Sequence, residues 1–436
     1  MTLRLLLSTA LLAWLAAMAN TAMAARAGDA GIETPQPGTE GRQQVRADAE
    51  DAHVPDDEDE FLADDPSDAS DIDEENEWAQ KESERIAVDA SVIGRSWNQV
   101  PFQTRYFDYS YEEIERRWPQ FMRALLIPFP SPAYLQRRIE TFPELRAELG
   151  PDFDGDYERL SRNTVHAWRL FFRGDFREAK EWGVQFGAYG KVPAYFSQII
   201  YAVYLSDTQD DKHQLLQDAA NQVAVYARVL KEMEQSEEFR DDYMVMRLGY
   251  AYAIARIAEE VSPPVAVARN YLFKISGAAN DVLAIKPDHP VGLAFRAGID
   301  AGLIRTMGKA AGRLTFGAKQ SRAKDYFEES FNKVDDLSII HYEYANALLY
   351  MNKTREATDA LQHLRRAMAI QPLFAMEALD AMYAAKRFRE VDDFLKYGRS
   401  FRSFDRKRRR YVRKTDENLY NVLSPPFLIT EYVARR

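Results

Sequence analysis

Residues 165–183, VHAWRLFFRGDFREAKEWG, have the pattern of two short helices joined by a tight corner. Gly174 can adopt the left-handed conformation that ends a helix. Asp175 can then cap the next helix, and Glu178 lies three residues later, where the partner residue of a capping box belongs. A hairpin of this kind leaves one apolar side uncovered, so the stretch predicts a second hairpin packed against it.

Small residues stand where the two helices of such a hairpin must approach each other. In this stretch they are Ala167 and Ala179. Two later stretches, ATDALQHLRRAMAIQP and GAANDVLAIKPDHP, add a proline that closes the second helix. Their small residues and prolines are Ala360, Ala367, Pro372, Ala279 and Pro287. This spacing resembles the tetratricopeptide repeat (TPR), a helix–turn–helix unit of about 34 residues.

The resemblance covers residues 161–400 in fragments. It implies an all-α protein, a TPR-like α-solenoid of stacked helical hairpins. It also implies a scaffold for protein–protein interactions with a concave groove, and no cofactor.

Helical signals continue along the chain from about residue 96. Apolar residues recur at three- and four-residue spacing, as in DDKHQLLQDAANQVAVYARVLKEME. Ser110 and Glu113 have the spacing of a capping box, and Ser262 stands before Pro263 as an N-cap before a first-turn proline. About 340 residues of short helices exceed one compact bundle, which favours helices stacked in series.

Composition divides the chain into five predicted segments. In order they are a signal peptide at 1–24, a disordered acidic linker at 25–95, an N-terminal helical segment at 96–160, the repeat domain at 161–400 and a basic C-terminal helix and tail at 401–436.

The first segment has the pattern of a secretory signal. Arg4 supplies a positive charge, residues 5–19 are apolar, and Ala22 and Ala24 are the small residues that a signal peptidase needs. We expect cleavage after Ala24 and an exported product, periplasmic or secreted. A membrane anchor is the alternative, although the apolar run is shorter than the span of about 20 residues that a bilayer requires.

The acidic linker carries more net negative charge than the chain as a whole. Residues 48–84 hold 18 Asp and Glu against Lys81, a net charge of −17, and residues 1–47 carry +1. Since the whole chain is −11, residues 85–436 carry −11 + 17 − 1 = +5. A segment with this much charge cannot bury enough apolar surface to fold. We therefore predict that it is a disordered tether. In the alternative, four apolar residues dock on the basic body or on a partner: Phe61, Leu62, Ile72 and Trp78.

The chain contains no cysteine. This excludes disulfides, thiolate metal sites and cysteine nucleophiles. The six histidines have no metal-binding spacing, and no serine-hydrolase elbow is present.

A weak calcium candidate lies in DFDGDYE. Its alternating acids are Asp152, Asp154, Asp156 and Glu158. Oxygen ligands at alternate positions resemble the start of an EF-hand loop, but Tyr157 stands where that loop needs glycine. The alternative is a polar loop that ends in a helix N-cap.

Glycines concentrate in GIDAGLIRTMGKAAGRLTFGAK, whose spacing does not fit a nucleotide phosphate loop. In one interpretation the pairs Gly298/Gly302 and Gly308/Gly312 let helices touch. In the other, this region forms a pocket for an anionic ligand, lined by Gly298, Gly302, Arg305, Lys309 and Arg313.

A basic cluster extends from Arg406 to Lys414. We expect no nucleic-acid partner for an exported protein, and interpret the cluster as a solvated helix face or as a peripheral contact with anionic surfaces. The sequence as a whole predicts a non-catalytic scaffold that binds protein partners in the bacterial cell envelope and is not an integral membrane protein. The alternatives are a periplasmic ligand-binding component that accompanies a TRAP-type transporter and, third, a cell-wall hydrolase.

Overall fold

The predicted all-α class is confirmed by the fold. A computed structural model describes residues 97–397 except 151–152, 232–235, 237–238 and 262, and this part of the chain contains helices and no strand. The first helices are α1 Tyr111–Phe121, α2 Pro132–Thr141, α3 Pro143–Ala147, α4 Tyr157–Arg173, α5 Phe176–Gly183, α6 Gly187–Tyr204, α7 Gln209–Leu230 and α8 Asp241–Glu260. The others are α9 Pro263–Ala268, α10 Tyr271–Ile285, α11 Pro290–Met307, α12 Lys309–Phe316, α13 Gln320–Lys333, α14 Ser338–Asn352, α15 Ala357–Ala369 and α16 Ala375–Tyr397. Single 3-10 turns occur at Thr104–Phe107 and Lys353–Glu356.

Several sequence predictions lie outside the described residues. They are the signal peptide, the acidic linker with its four apolar residues, Ser262, and the basic segment 401–436 with the cluster Arg406–Lys414. Among the described helices, none combines the length and apolar character needed to cross a bilayer.

Local sequence sets the helix boundaries at two places, one of them predicted. The capping box predicted at Ser110 and Glu113 is confirmed, since each side chain accepts a hydrogen bond from the other residue's backbone N–H. At the start of α11 the Nδ1 of His289 accepts from the Gly292 N–H at 3.3 Å, and Pro290 occupies the first turn. A first-turn proline loses no helical hydrogen bond there.

The corner between α4 and α5 has the predicted backbone. Gly174 is left-handed, with φ of 94°, and its N–H donates to the carbonyls of Leu170 and Phe171. The Asp175 N–H also donates to the Leu170 carbonyl, at 3.0 Å. The predicted capping box at Asp175 is wrong, because the carboxylate makes no cap hydrogen bond and is ion-paired with Arg173 instead. A neighbouring guanidinium binds this carboxylate more strongly than a neutral N–H does.

The helices form two rows. An inner row consists of α4, α6, α8, α11, α14 and α16, in which neighbours contact each other along the row. For α8 and α11 this contact includes Tyr252 and Phe295, whose ring centroids are 6.4 Å apart. In the outer row, α5, α7, α10, α13 and α15 each pack on two consecutive inner helices. Because outer helices run antiparallel to their inner neighbours, the inner helices run parallel to one another.

The inner row closes on itself, since α16 packs against α4. A Cβ added to Gly174 would lie 2.9 Å from the Ala375 Cβ and 2.8 Å from the Val100 Cγ1. Beside this point the Phe374 ring lies 5.2 Å from Phe172 and 6.0 Å from Phe171. Gly174 therefore serves both the corner and the closure of the row.

Two glycines bring α5 and α6 into their closest approach. A Cβ on Gly190 would lie 2.1 Å from the Gly183 carbonyl oxygen, and the reciprocal distance is 2.3 Å. The expectation that Gly298, Gly302 and Gly308 also let helices touch is wrong, because a Cβ at any of them would meet nothing within 4 Å.

The remaining predicted packing residues divide by burial. Ala167, Ala179, Ala279, Ala360 and Ala367 are fully buried. Pro372 is buried after α15, whereas Pro287 is exposed between α10 and α11. The predicted boundary between residues 160 and 161 falls inside α4, which continues without a break.

A recess on the inner face of α11

Helix α11 has one side against the outer row, and on the opposite side two glycines have no neighbouring helix in contact. Asp300 on the first side accepts two hydrogen bonds from Arg322 of α13, at 2.7 and 2.8 Å. At 100° per residue, Gly298 and Gly302 lie about 160° away from Asp300 around the helix axis. They therefore face inward, where no neighbouring atom lies within 4 Å of an added Cβ.

An ion pair connects the inner helices on either side of α11. Arg256 of α8 is ion-paired with Glu343 of α14. It also contacts Glu259 at 3.2 Å. The pair joins two inner helices that are separated by α11. We call the open face of α11 together with the side chains that these contacts connect the α11 recess, which comprises Tyr252, Arg256, Glu259, Gly298, Gly302, Arg305, Glu343 and Tyr350.

Helix register places the ion pair level with the glycines. The Arg305 guanidinium lies 4.0 Å from the centroid of the Tyr350 ring. Gly298 precedes Arg305 by seven residues, and Glu343 precedes Tyr350 by seven residues. Helices α11 and α14 are parallel, and seven residues correspond to about two helical turns. Gly298 and Glu343 therefore lie at about the same level along the two helix axes.

Solvent reaches both members of the Arg256–Glu343 pair to different extents. The Glu343 side chain retains 30% of its surface exposed and the Arg256 side chain 11%. Desolvation nevertheless raises the pKa of Glu343, and Arg256 only partly offsets this effect. Burial disfavours the Arg256 cation, but nearby Tyr252, Glu259 and Glu343 hold its pKa well above the ordinary value.

A second polar contact lies deeper, between α6 and α16. The Tyr204 hydroxyl donates to the Asp380 Oδ1, and both residues are buried. Desolvation raises the pKa of Asp380 to about 7, against the lowering effect of the Tyr204 hydrogen bond. The Tyr383 ring packs at 5.4 Å from Tyr204 and 5.2 Å from Tyr342. This layer supports the side chains of the recess from below.

The recess offers both kinds of hydrogen-bonding group. The guanidinium of Arg256 only donates, the carboxylates of Glu259 and Glu343 accept when ionised, and tyrosine hydroxyls do either. Within the described ranges, no group of three or more His, Asp and Glu residues has the arrangement of a metal site. The arrangement suits reversible binding of a polar molecule.

Three of the five residues predicted to line an anion pocket share one side of α11, and the pocket itself stays a prediction. Gly298, Gly302 and Arg305 lie on the inner side of α11, while Lys309 and Arg313 belong to α12. The Lys309 ammonium donates to Gln320 at the start of α13, at 2.8 Å, which directs it toward the outer row. Carboxylates join the site as well, so it is not the purely cationic pocket expected from the sequence.

The weak calcium candidate forms a helix cap in its described residues. Asp156 is the N-cap of α4 and accepts from the Arg159 N–H. The Arg159 guanidinium also contacts Asp154 at 2.7 Å and Asp156 at 3.2 Å. Glu158 follows in the first turn, and Asp152 lies outside the described residues.

Most side chains of the recess, and Asp380 beside it, had not been singled out in the sequence. Arg256, Glu343 and Asp380 come from helices far apart in the chain, and each stands in an amphipathic pattern that an ordinary surface residue would share. Only the packing of the inner row brings these residues toward one another.

Comparison with protein-family models, with curated proteins and with solved structures gives no match to this chain.

Proposed function

We propose that the protein is a ligand-binding helical array that holds a small polar molecule in the α11 recess. The observation that carries this proposal is the Arg256–Glu343 ion pair, which extends across α11 opposite two glycines that no side chain covers. A glycine inside a helix costs about 1 kcal/mol relative to alanine. Two of them on one open face therefore indicate that the space is used.

The charges of the recess favour a ligand with little net charge. Arg256 is already balanced by Glu259 and Glu343, so a strongly anionic ligand would have to displace a carboxylate. A molecule with both donors and acceptors can bind the guanidinium and a carboxylate together. Tyr252 and Tyr350 add ring faces for its apolar part. Saccharides and zwitterionic amino acids or dipeptides both meet this description.

The repeat architecture and the cellular location of the protein are part of the same proposal. Hairpin spacing and the two rows support a TPR-like solenoid whose ends meet. A signal sequence cleaved near Ala24 would make the protein exported, as a periplasmic ligand-binding component rather than an enzyme. We place this function before the protein scaffold because polar contacts cross the inner face that a bound partner chain would need.

Filling the recess tests the proposal. Gly302→Leu adds a side chain in open space, so the variant folds and gains helix propensity. Gly277→Leu is a matched control, because Gly277 lies on outer helix α10 and also has nothing within 4 Å. Thermal unfolding is measured with neutral saccharides, amino acids, dipeptides and dicarboxylates.

Support is a compound that raises Tm of the wild type and of Gly277→Leu but not of Gly302→Leu. The proposal fails if that compound stabilises Gly302→Leu equally. It fails also if no compound of these classes binds the wild type.

A further inference from the structure

Two histidines of the α14–α15 hairpin meet through their ring nitrogens. His341 of α14 and His363 of α15 are 22 positions apart in the sequence, and their Nδ1 atoms lie 3.1 Å from each other. The Nε2 of His341 lies 2.9 Å from the Asp335 carbonyl oxygen. A carbonyl oxygen only accepts, so this Nε2 carries the hydrogen and the Nδ1 of the neutral ring keeps a lone pair. That lone pair is directed at His363.

Aromatic rings hold the two imidazoles in place. The Phe331 ring of α13 stacks on both of them, with its centroid 4.5 Å from that of His341 and 5.6 Å from that of His363. The Tyr344 ring meets His363 edge-on at 4.6 Å. His341 is buried, whereas His363 is only partly buried and so can be reached from solvent. Side chains from three helices therefore fix the positions of the two nitrogens.

The separation of the two nitrogens also suits a metal ion. Two nitrogen ligands about 2 Å from a tetrahedral Zn²⁺ are about 3.3 Å apart. The Nδ1 atoms of His341 and His363, at 3.1 Å, are only slightly closer than this. A histidine that binds a metal through one nitrogen usually donates its other ring N–H to a carboxylate or a backbone carbonyl. His341 already makes this second bond, to Asp335.

Charges around the pair favour a cation. Desolvation raises the pKa of Tyr344, the ring beside the pair, to about 12, and four carboxylates add to this effect: Glu328, Glu356, Asp359 and Asp325. Two cations oppose the acids, since Lys324 is ion-paired with Glu356 and Arg366 with Asp335. Carboxylates therefore outnumber cations among the charged groups that act on this cluster.

We propose that His341 and His363 bind a divalent transition-metal ion such as Zn²⁺ between their Nδ1 atoms. The ion replaces the hydrogen that the His363 Nδ1 donates to His341. This hydrogen moves through solvent to the His363 Nε2, so both rings stay neutral and both carry their hydrogen on Nε2. Among the described residues no third His, Asp or Glu is arranged around the same point, so water completes the coordination.

The metal site is separate from the α11 recess. Glu343 of the recess follows His341 by two residues, which places it about 200° around the axis of α14. Binding of a metal ion therefore does not depend on the proposed function, and either proposal can fail alone.

Calorimetric titration of the full chain with Zn²⁺ tests the site. His363→Gln and His341→Gln should each weaken binding about tenfold or more, because each removes one of two protein ligands. His213→Gln, on α7, is the matched control and should bind as the wild type does. Since His363 is partly exposed, its substitution leaves the fold intact, and Tm measured without metal checks this.

Nitrogen NMR of the imidazoles identifies the atoms that bind. Without metal, His363 should carry its hydrogen on Nδ1 and His341 on Nε2, and with Zn²⁺ both should carry it on Nε2. Wild type that does not bind Zn²⁺ overturns the proposal. Binding that both glutamine variants retain overturns it as well, and so does binding that leaves the two tautomers unchanged, since the ion would then lie elsewhere.

Discussion

Arg256 of α8 and Glu343 of α14 form an ion pair across the face of α11, the helix that lies between theirs. The two residues are 87 positions apart in the sequence. Their pairing connects the helices on either side of α11, and the same pair belongs to the recess. Under the proposed function, stability and ligand binding are therefore coupled through one contact.

Breaking the pair should destabilise the fold unequally. Arg256→Gln leaves Glu259 and Glu343 facing each other without a cation, and we expect a loss of about 2 kcal/mol in the free energy of unfolding. Glu343→Gln keeps a hydrogen-bond acceptor and should cost about 1 kcal/mol. Urea denaturation measures both. Lys333→Gln, in an exposed pair with Asp288, should have no measurable effect on stability. A loss as large as that of Arg256→Gln would contradict the special role given to the Arg256–Glu343 pair.

Asp380 should make stability depend on pH. Its pKa rises from an ordinary 3.8 to about 7 on burial, so between these values the folded protein keeps a proton that the unfolded chain has lost. Its contribution therefore falls as pH rises through this window, by roughly 1.4 kcal/mol per pH unit. Asp380→Asn retains the oxygen that accepts from Tyr204 and never ionises.

The variant should accordingly be more stable than wild type at about pH 8, with the difference shrinking toward about pH 4. Urea denaturation across this range supplies the measurement. Asp154→Asn is the control: hydrogen bonds from Arg159 lower the pKa of this carboxyl, so the substitution should leave the profile unchanged above about pH 5. A constant difference between Asp380→Asn and wild type at all pH values would show that Asp380 is ionised throughout.

Closure of the inner row can be separated from the corner that begins it. Gly174→Ala imposes a left-handed backbone on alanine and also drives its Cβ against Val100 and Ala375. We expect a loss of about 2–5 kcal/mol, the sum of backbone strain and overpacking. Gly317→Ala has the same kind of backbone, φ of 65°, in open space, and should lose about 1–2 kcal/mol. Thermal or urea unfolding compares the two variants. Equal losses of stability would mean that the residues around Gly174 move aside for the added methyl group without cost.

Replacing Arg138 by lysine should destabilise the fold. Its side chain is fully buried, its guanidinium contacts Asp242 at 2.7 Å, and rings of Tyr134 and Phe239 lie 5.1 Å from it. Lysine keeps the charge but not the planar group that stacks on aromatic faces, so Arg138→Lys should lose about 2–4 kcal/mol of stability. Arg177→Lys, in a more exposed pair with Glu181, should be indistinguishable from wild type in the same denaturation experiment.

The sequence by itself determined the helices and some of their ends. A capping box needs only Ser110 and Glu113 three residues apart, and a left-handed helix end needs only Gly174 without a Cβ. Both are interactions between near neighbours in the chain, and both occur as predicted. Apolar spacing likewise fixed the all-α class. The cap expected at Asp175 failed because Arg173, a competitor equally near in sequence, binds the carboxylate.

Tertiary structure alone decided which inner surfaces meet. The residues next to Gly174 in the sequence do not indicate that Ala375 will pack against it. Nor does local sequence distinguish Gly298, which faces open space, from Gly183, which contacts a neighbouring helix. Periodicity gives the side of a helix that is buried but not the helix that covers it. Arg256 and Glu343 form a site because packing of the whole inner row brings α8 and α14 to opposite sides of α11, and that depends on every helix between them.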